Sequence, residues 1–184
     1  KIDGEIGLRL LRMGHAKLFY KASLRNRAAL LQAFPSGDGK FSVASTKRFM
    51  WSRLEQYSQK RGYHFGIWMR AEIVGAIDLH QVDHGNRRAE IASWLDESFQ
   101  GRGLMTRACR ALLDSPFSEL ELNRVEIQCA EQNRKSRAIP ERLGFVQEGV
   151  IRQAEWIQDH FNDHVVYSML RDEWRRNPRQ GSSG

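Results

Sequence analysis

The chain has 184 residues, of which 41% are hydrophobic, with nine Phe and five Trp. This length and composition predict one domain with a substantial buried core. No run of 18 apolar residues occurs, and the N-terminus lacks the charged-then-apolar pattern of a signal peptide. We therefore expect a soluble, cytoplasmic protein that has no membrane partner.

The formal net charge is +7, which favours polyanionic partners such as a phosphorylated cofactor, an acidic protein or RNA. The basic residues are scattered, however, and cluster only in short pairs such as Arg87-Arg88 and Arg175-Arg176. This scatter is typical of a solvated basic surface. Direct nucleic-acid binding is therefore not expected.

Cysteine and histidine spacing gives no sign of a metal site. Cys109 and Cys129 each lie inside an apolar pattern, which predicts two buried, reduced thiols. His160 and His164 are four residues apart, a spacing that binds metal on a helix, but the surrounding Asp159–Asp163 segment reads as a turn. We expect no bound metal.

The N-terminal half predicts a strand, helices and then hairpins. Residues 5–12 form a short strand, and the apolar spacing of His15–Ala33 fits one helix or two. Phe34–Gly39 is a loop by its Pro and Gly content. Thr46 is predicted to cap a helix that runs to about Arg61. Three strands with short connectors follow: His64–Met69, Ile73–Leu79 and Ala89–Leu95.

The C-terminal half predicts two more helices and three strands. One helix begins at about Leu104, and Pro116 should end or kink it. Residues 125–129 alternate as a strand, and Ser136–Leu143 reads as a short helix. If Ser136 is its N-cap, Pro140 falls in the first turn, where its missing N–H matters little. Two last strands flank the polar turn: Phe145–Glu155 and His164–Leu170.

A glycine-rich loop, Gln100-Gly101-Arg102-Gly103, joins a predicted strand to a predicted helix. Backbone N–H groups at a helix N-terminus attract a pyrophosphate, and glycines let the backbone approach it closely. A dinucleotide-binding Rossmann turn is the rival interpretation. It requires a third glycine at position 106, which is Thr106, and parallel strands before the loop. The loop therefore predicts another kind of phosphate site.

A second motif, NRKSRAIPERLGF at Asn133–Phe145, follows the strand at residues 125–129. The two motifs in this order resemble the Gcn5-related N-acetyltransferase (GNAT) superfamily. Within it, WLDESFQG at Trp94–Gly101 and QAEW at Gln153–Trp156 are similar to the RimJ/RimL-type ribosomal-protein N-terminal acetyltransferases. The resemblance covers about residues 5 to 174.

The resemblance implies a mixed α/β domain at residues 1–174, followed by a flexible tail at 175–184. Its central sheet would be mostly antiparallel, flanked by helices and splayed between strands 4 and 5, with acetyl-CoA in the gap. Loop amides would hold the pyrophosphate, and the fourth strand would pair with the pantetheine. The implied acetyl-CoA contacts are Trp94, Leu95, Gln100, Gly101, Arg102, Gly103, Leu104, Met105, Asn133 and Arg137.

The implied reaction is direct attack of a neutral amine on the thioester in a ternary complex, since no cysteine is placed for a covalent route. Glu155 is the candidate base, although it could equally be a solvated carboxylate near a strand end. Ser136 is the candidate acid, and its hydroxyl could instead only cap a helix. Glu90 and His80 are the reserve candidates for proton transfer.

The acceptor is expected to be the N-terminal amine of a protein, plausibly ribosomal. An α-amine is about 3 kcal/mol easier to deprotonate than a lysine side chain, which suits a single carboxylate base. Acetylation of a polyamine, an aminoglycoside or an amino acid stays open, as does a non-catalytic acyl-CoA-binding module. The resemblance also implies a homodimer, and contact with nucleic acid only through the ribosome.

Overall fold

The computed structural model describes residues 6–33, 41–157 and 159–176. Within them, seven strands form one sheet in the order β1-β2-β3-β4-β5-β7-β6. Neighbouring strands are antiparallel except β4 and β5, which are parallel. The strands are β1 (Ile6–Leu10), β2 (Tyr63–Met69), β3 (Glu72–Asp83), β4 (Arg88–Leu95), β5 (Arg124–Ala130), β6 (Val146–Ile157) and β7 (His160–Leu170).

The helices lie on both faces of the sheet. The helices Ala16–Arg25 and Val43–Ser58 contact β3 and β2, whereas Leu104–Ser118 and Arg134–Leu143 contact β4 and β5 on the opposite face. The predicted segment at residues 15–33 resolves into two helices. The described helices are α1 (Ala16–Arg25), α2 (Arg27–Ala33), α3 (Val43–Ser58), α4 (Leu104–Ser118), α5 (Arg134–Leu143) and α6 (Arg171–Arg176).

Two helix boundaries differ from the predictions. The N-cap of α3 is Ser42, whose hydroxyl accepts a hydrogen bond from Ser45 N at 3.0 Å, so the prediction of Thr46 was wrong. Thr46 sits inside the helix and donates its own N–H to Ser42 O. Pro116 does not end α4, which continues to Ser118. Pro116 is itself buried, and this burial offsets the lost hydrogen bond.

The last hairpin is longer than predicted. The residues assigned to a turn, Asp159–Asp163, mostly belong to β7, which begins at His160. Trp156 pairs with Phe161 across the strands, and their rings lie 4.7 Å apart. Such aromatic cross-strand pairs stabilise a hairpin by about 1 kcal/mol. Strand pairing here continues up to Ile157 and His160, which the polar composition of the segment did not indicate.

The core has two parts, one on each face of the sheet. The larger part packs the sheet against α4, α5 and α6, and the smaller part packs it against α1 and α3. Cys109 and Cys129 lie in the larger part, as predicted, and burial raises the pKa of their thiols to about 12 and about 11. Both are therefore inert thiols at neutral pH.

Two predictions fall wholly or partly on residues outside the described ranges. Arg175 and Arg176 belong to α6, while residues 177–184 lie outside the described residues, so the flexible tail stays a prediction. The predicted loop at Phe34–Gly39 also lies outside them. In the part of the chain that the structure describes, no helix is long and apolar enough to cross a membrane.

Candidate active site

The loop between β4 and α4 is fixed at its start by Asp96. Its carboxylate accepts hydrogen bonds from Ser98 N at 3.1 Å and from Asn26 Nδ2 at 3.0 Å. Arg25 Nε lies 3.2 Å from the same carboxylate. Burial opposes the ionisation of Asp96, yet these hydrogen bonds outweigh burial and lower the pKa of its carboxyl. Residues at the end of α1 therefore anchor the loop, a long-range contact that sequence reasoning missed.

The glycines of this loop adopt the left-handed backbone conformation, with φ of 76° at Gly101 and 70° at Gly103. Gly103 is the N-cap of α4, and the first turn closes with Arg107 N donating to Gly103 O at 3.1 Å. A Cβ on either glycine would meet nothing within 4 Å. The helix N-terminus therefore faces open space, and its first N–H groups suit an anion.

The side chains around these amides have separate roles. Gln100 turns back, and its amide donates to Leu95 O at 3.0 Å. Leu104 and Met105 are buried in the core, so only their N–H groups can reach a ligand. Arg102 lies exposed over the ring of Phe99, at 5.7 Å from its centroid. The loop thus offers backbone donors beside one accessible guanidinium.

The pairing of β4 with β5 covers only four positions, from Arg88↔Arg124 to Ile91↔Ile127. Both strands continue past that register, β4 to Leu95 and β5 to Ala130. On its other edge, β4 remains paired with β3 through Trp94↔Ala76 and Leu95↔Gly75. The end of β4 therefore has backbone groups directed toward β5 that the strand register leaves available for a further partner.

The helix after β5 is capped differently from the prediction. Asn133 is the N-cap of α5, and its Oδ1 accepts a hydrogen bond from Ser136 N at 3.1 Å. The prediction that Ser136 is the N-cap was therefore wrong. The Ser136 hydroxyl does not cap α5. Pro140 consequently lies inside the helix rather than in its first turn, where it cannot donate a hydrogen bond to the Ser136 carbonyl.

Arg137 is engaged by protein groups. Its Nε donates to the Tyr167 hydroxyl at 2.9 Å, and its Nη1 donates to Glu131 O at 3.1 Å. The Tyr167 hydroxyl in turn donates to Glu141 at 2.9 Å. This chain of contacts ties α5 to β7, so Arg137 positions the start of α5 in addition to any contact it makes with a ligand.

A bulge in β6 carries Glu155. Three residues of β6 stand opposite the single residue Asp163 of β7, whose carboxylate accepts the Gln153 N–H at 2.7 Å. A bulge of this kind redirects the side chains that follow it. Glu155 then lies 3.3 Å from His164 Nε2, with both side chains partly buried. Asp163 and His164 are thus both parts of the candidate site. Sequence reasoning assigned Asp163 to a turn and considered His164 only as a metal ligand.

A row of polar residues crosses the sheet in the part where β4 and β5 are paired. His80, Glu90, Glu126 and Ser168 are consecutive cross-strand partners on β3, β4, β5 and β7. Burial, reinforced by the charge of Glu126, raises the pKa of Glu90. Burial likewise lowers the pKa of His80. Arg124, whose Nε lies 2.7 Å from Glu126, balances the charge of that carboxylate.

The two predicted catalytic residues lie on opposite faces of the sheet. His164, the partner of Glu155, shares a face with Ser168 and Glu126, because alternate residues of β7 point the same way. Ser136 lies on α5, which packs on the other face beside α4. Both nevertheless border the end of β5, since Ala130 pairs with His164 and leads into α5.

Among the described residues, no group of three His, Cys, Asp or Glu side chains could hold a metal ion. His160 and His164 both lie on β7, where four residues of strand separate them by about 13 Å. Their helix-like spacing in the sequence therefore has no counterpart in the structure.

Comparisons with known proteins agree with this geometry. Residues 5–146 match the acetyltransferase (GNAT) domain family. The chain is 36% identical, over 95% of its length and 96% of the relative, to YdaF of Bacillus subtilis (strain 168), whose name provisionally describes a ribosomal N-acetyltransferase. It is 28% identical, over 94% and 96%, to the ribosomal-protein-serine acetyltransferase of Escherichia coli (strain K12).

A solved structure of RimL, a ribosomal L7/L12 alpha-N-protein acetyltransferase in complex with coenzyme A, matches with a TM-score of 0.87 at 26% identity. The match covers 94% of this chain and 98% of that one. The mixed seven-stranded sheet, the flanking helices and the open glycine loop thus have the form expected for an enzyme that uses acetyl-CoA. The chain belongs to the GNAT acetyltransferase family and is an acetyl-CoA-dependent N-acetyltransferase.

Proposed function

We propose that this enzyme acetylates the N-terminal amine of a protein, and that this protein is ribosomal. The observation that carries the proposal is the match to a ribosomal-protein-serine acetyltransferase over 94% of this chain and 96% of that one. The match spans both chains almost entirely. The matched region therefore includes the elements that would border the acceptor as well as those near acetyl-CoA. The lower pKa of an α-amine also suits a site in which a single carboxylate acts as the base.

Acetyl-CoA would occupy a gap between the ends of β4 and β5. The register of only four residue pairs supports such a gap, because both strands continue beyond it. Trp94 and Leu95 would offer backbone groups to the pantetheine, while the amides from Gln100 to Met105 would bind the pyrophosphate. Asn133, at the start of α5, would face the CoA arm from the β5 side.

The reaction forms a bond between the N-terminal nitrogen and the acetyl carbonyl carbon, and the carbon–sulfur bond of the thioester breaks. The nitrogen loses a proton to a base, and the departing thiolate takes a proton from an acid. No covalent enzyme intermediate is needed, since both cysteines are buried with raised pKa values. We therefore assign a ternary complex rather than a two-step transfer.

Glu155 is assigned as the base and Ser136 as the acid. The contact with His164 orients the Glu155 carboxylate on the face of the sheet that α3 covers. Ser136 lies on the face that α4 and α5 cover, and Asn133 has taken over the capping of α5. The two groups would thus serve opposite sides of the transferred acetyl group. Glu90 is the alternative base, because its raised pKa makes it a stronger proton acceptor than an ordinary carboxylate.

The test compares three acceptors with purified enzyme and acetyl-CoA. These are peptides with a free N-terminal serine or alanine, the same peptides with a blocked N-terminus and an internal lysine, and spermidine. We expect kcat/KM for the free N-termini to exceed the other values by at least 100-fold. Equal or faster acetylation of spermidine or of the internal lysine would contradict the assignment of the acceptor while leaving the acetyltransferase activity intact.

A further inference from the structure

A cleft of about 630 Å³ opens between α3 and the end of β3. Three arginines line it: Arg53 from α3, Arg61 from the connector after α3, and Arg88 at the start of β4. The hydrogen bond from Val82 N to Arg61 O, at 3.2 Å, holds that connector against β3. We call this feature the arginine cleft.

The arginine cleft is strongly cationic. Among the described residues that line it, Asp83 is the only carboxylate, and Asn86 engages it through two hydrogen bonds of 2.9 and 2.7 Å. Arg88 lies 3.8 Å from Asp83, with more than half of its side chain exposed. Arg53 is held by Gln56 and by the ring of Phe49, so its guanidinium stays at the cleft. Three arginines therefore line a cleft in which the one carboxylate among the described lining residues is already engaged.

The arginine cleft adjoins the candidate active site. His80 lines the cleft and is the cross-strand partner of Glu90, and Gln81, which also lines it, donates to Glu90 at 3.2 Å. Glu90 in turn faces Glu126 across the last part of the sheet in which β4 and β5 pair. Neighbouring strands are about 4.8 Å apart. The near end of the cleft, at His80, thus lies one strand across from Glu90, which is two residues before the start of the gap proposed for acetyl-CoA.

We infer that the arginine cleft binds acidic side chains of the acceptor protein, a few residues after the N-terminal amine that is acetylated. This inference rests on the proposed function and adds the class of sequence that the enzyme prefers. An extended chain advances about 3.4 Å per residue, so the third to fifth residues of the acceptor can reach the cleft.

Carboxylates match the arrangement of the donors. The planar fork of a guanidinium binds a carboxylate through two parallel hydrogen bonds, and several arginines spread along a cleft suit successive carboxylates on one chain. The net charge of +7 also attracts an acidic protein over longer distances. A phosphoryl group offers related chemistry, and the experiment separates the two ligands.

The experiment uses two peptides of eight residues that differ only in the cleft-directed positions. Both begin with serine; one has glutamate at positions 3, 4 and 5, and the other has glutamine there. Binding is measured by calorimetry at several salt concentrations, and turnover is measured separately. The variant is R61Q/R88Q, and the matched control R175Q/R176Q removes two exposed charges from α6.

We expect the wild-type enzyme and the R175Q/R176Q control to bind the glutamate peptide at least tenfold more tightly than the glutamine peptide. In R61Q/R88Q the two affinities should become equal. In R61E/R88E, a peptide with lysine at positions 3 to 5 should become the preferred one.

Equal affinity of the wild-type enzyme for both peptides would overturn the inference, as would an equal loss of preference in the control variant. Tight binding of inorganic phosphate or of a phosphoserine peptide, without any preference for glutamate, would instead identify a phosphoryl site. Failure to acetylate either peptide would count against the proposed function. It would not affect the test of the arginine cleft, because binding is measured without turnover.

Discussion

The two faces of the central sheet differ in what they offer to a ligand. On the face of α4 and α5, the candidate site offers mainly backbone N–H groups and two glycines over an apolar core, with the Ser136 hydroxyl at the start of α5. On the face of α1 and α3, ionisable side chains come from four strands and from the arginine cleft. The first face suits the constant phosphates of CoA, and the second suits an acceptor that varies between enzymes.

This difference reflects how each face is assembled. The glycine loop is a local structure, because its conformation follows from a few consecutive residues and the helix after them. The face of α1 and α3, which we call the polar face, depends on the pairing of strands that are far apart in the chain. It also depends on a bulge held by Asp163. Mutations in the glycine loop should therefore act on the affinity for acetyl-CoA, and those on the second face on catalysis and acceptor choice.

The largest effect is expected for Glu155→Gln on the polar face. Removing a general base slows a reaction by about 10²–10⁴-fold, so kcat should fall by at least 100-fold while KM for acetyl-CoA stays within twofold. Steady-state kinetics with a free N-terminal peptide measure both constants. Glu72→Gln, at the exposed first position of β3, is the matched control.

Glu90→Gln decides between the two carboxylates. If Glu155 is the base, this variant should keep kcat within about tenfold of the wild type. A loss of 100-fold in Glu90→Gln together with normal activity in Glu155→Gln would transfer the role of base to Glu90. The base would lie on the polar face in either case. With Glu90 as the base, the proton of the amine would be taken up where β4 and β5 are still paired.

A smaller effect, confined to acetyl-CoA, is expected for Gly103→Val on the opposite face. Its φ of 70° is strained for a β-branched residue, at a cost of about 1–3 kcal/mol, and the new side chain would occupy the open space before the helix N-terminus. The Kd for acetyl-CoA should rise by roughly 10–100-fold, as measured by calorimetry. Gly14→Val, where a Cβ also meets nothing within 4 Å, should leave this Kd unchanged.

Local patterns predicted the glycine loop, the hairpins before it, the burial of both cysteines and the family. The two N-cap errors are local shifts of three or four residues. The larger errors arose where distant residues decide the local structure. The polar sequence around Asp159–Asp163 reads as a turn, but pairing of Trp156 with Phe161 converts most of it to strand. The Asp96 network and the arginine cleft were missed because their partners are brought together only by folding.

A further comparison separates Ser136 from Asn133 at the start of α5. Because Asn133 caps the helix, Asn133→Ala should lower the free energy of unfolding by about 1 kcal/mol. Ser136→Ala should leave stability within about 0.5 kcal/mol but lower kcat roughly tenfold if the hydroxyl is the acid. Urea unfolding and steady-state kinetics on both variants measure this. Equal kcat for Ser136→Ala and the wild type would remove Ser136 from the mechanism.

The smallest expected effect concerns the stability of the polar face. Burial and the charge of Glu126 raise the pKa of Glu90 in the folded state above its ordinary value. Between the unfolded and folded pKa values, the folded state binds more protons than the unfolded one, so stability falls as pH rises through this window. The ionised Glu90 therefore destabilises the fold at neutral pH, and this penalty is absent below the unfolded pKa.

Glu90→Gln removes that charge and keeps the shape of the side chain, so it should raise Tm at pH 7.5 by up to about 4 °C, the shift that 1 kcal/mol produces in a domain of this size. The gain should disappear in melts at pH 4, where the wild-type carboxyl is protonated. A lower Tm at pH 7.5 would mean that the ionised carboxylate is well solvated or paired. Ionised Glu90 would then not destabilise the polar face, and the two faces would not differ in this respect.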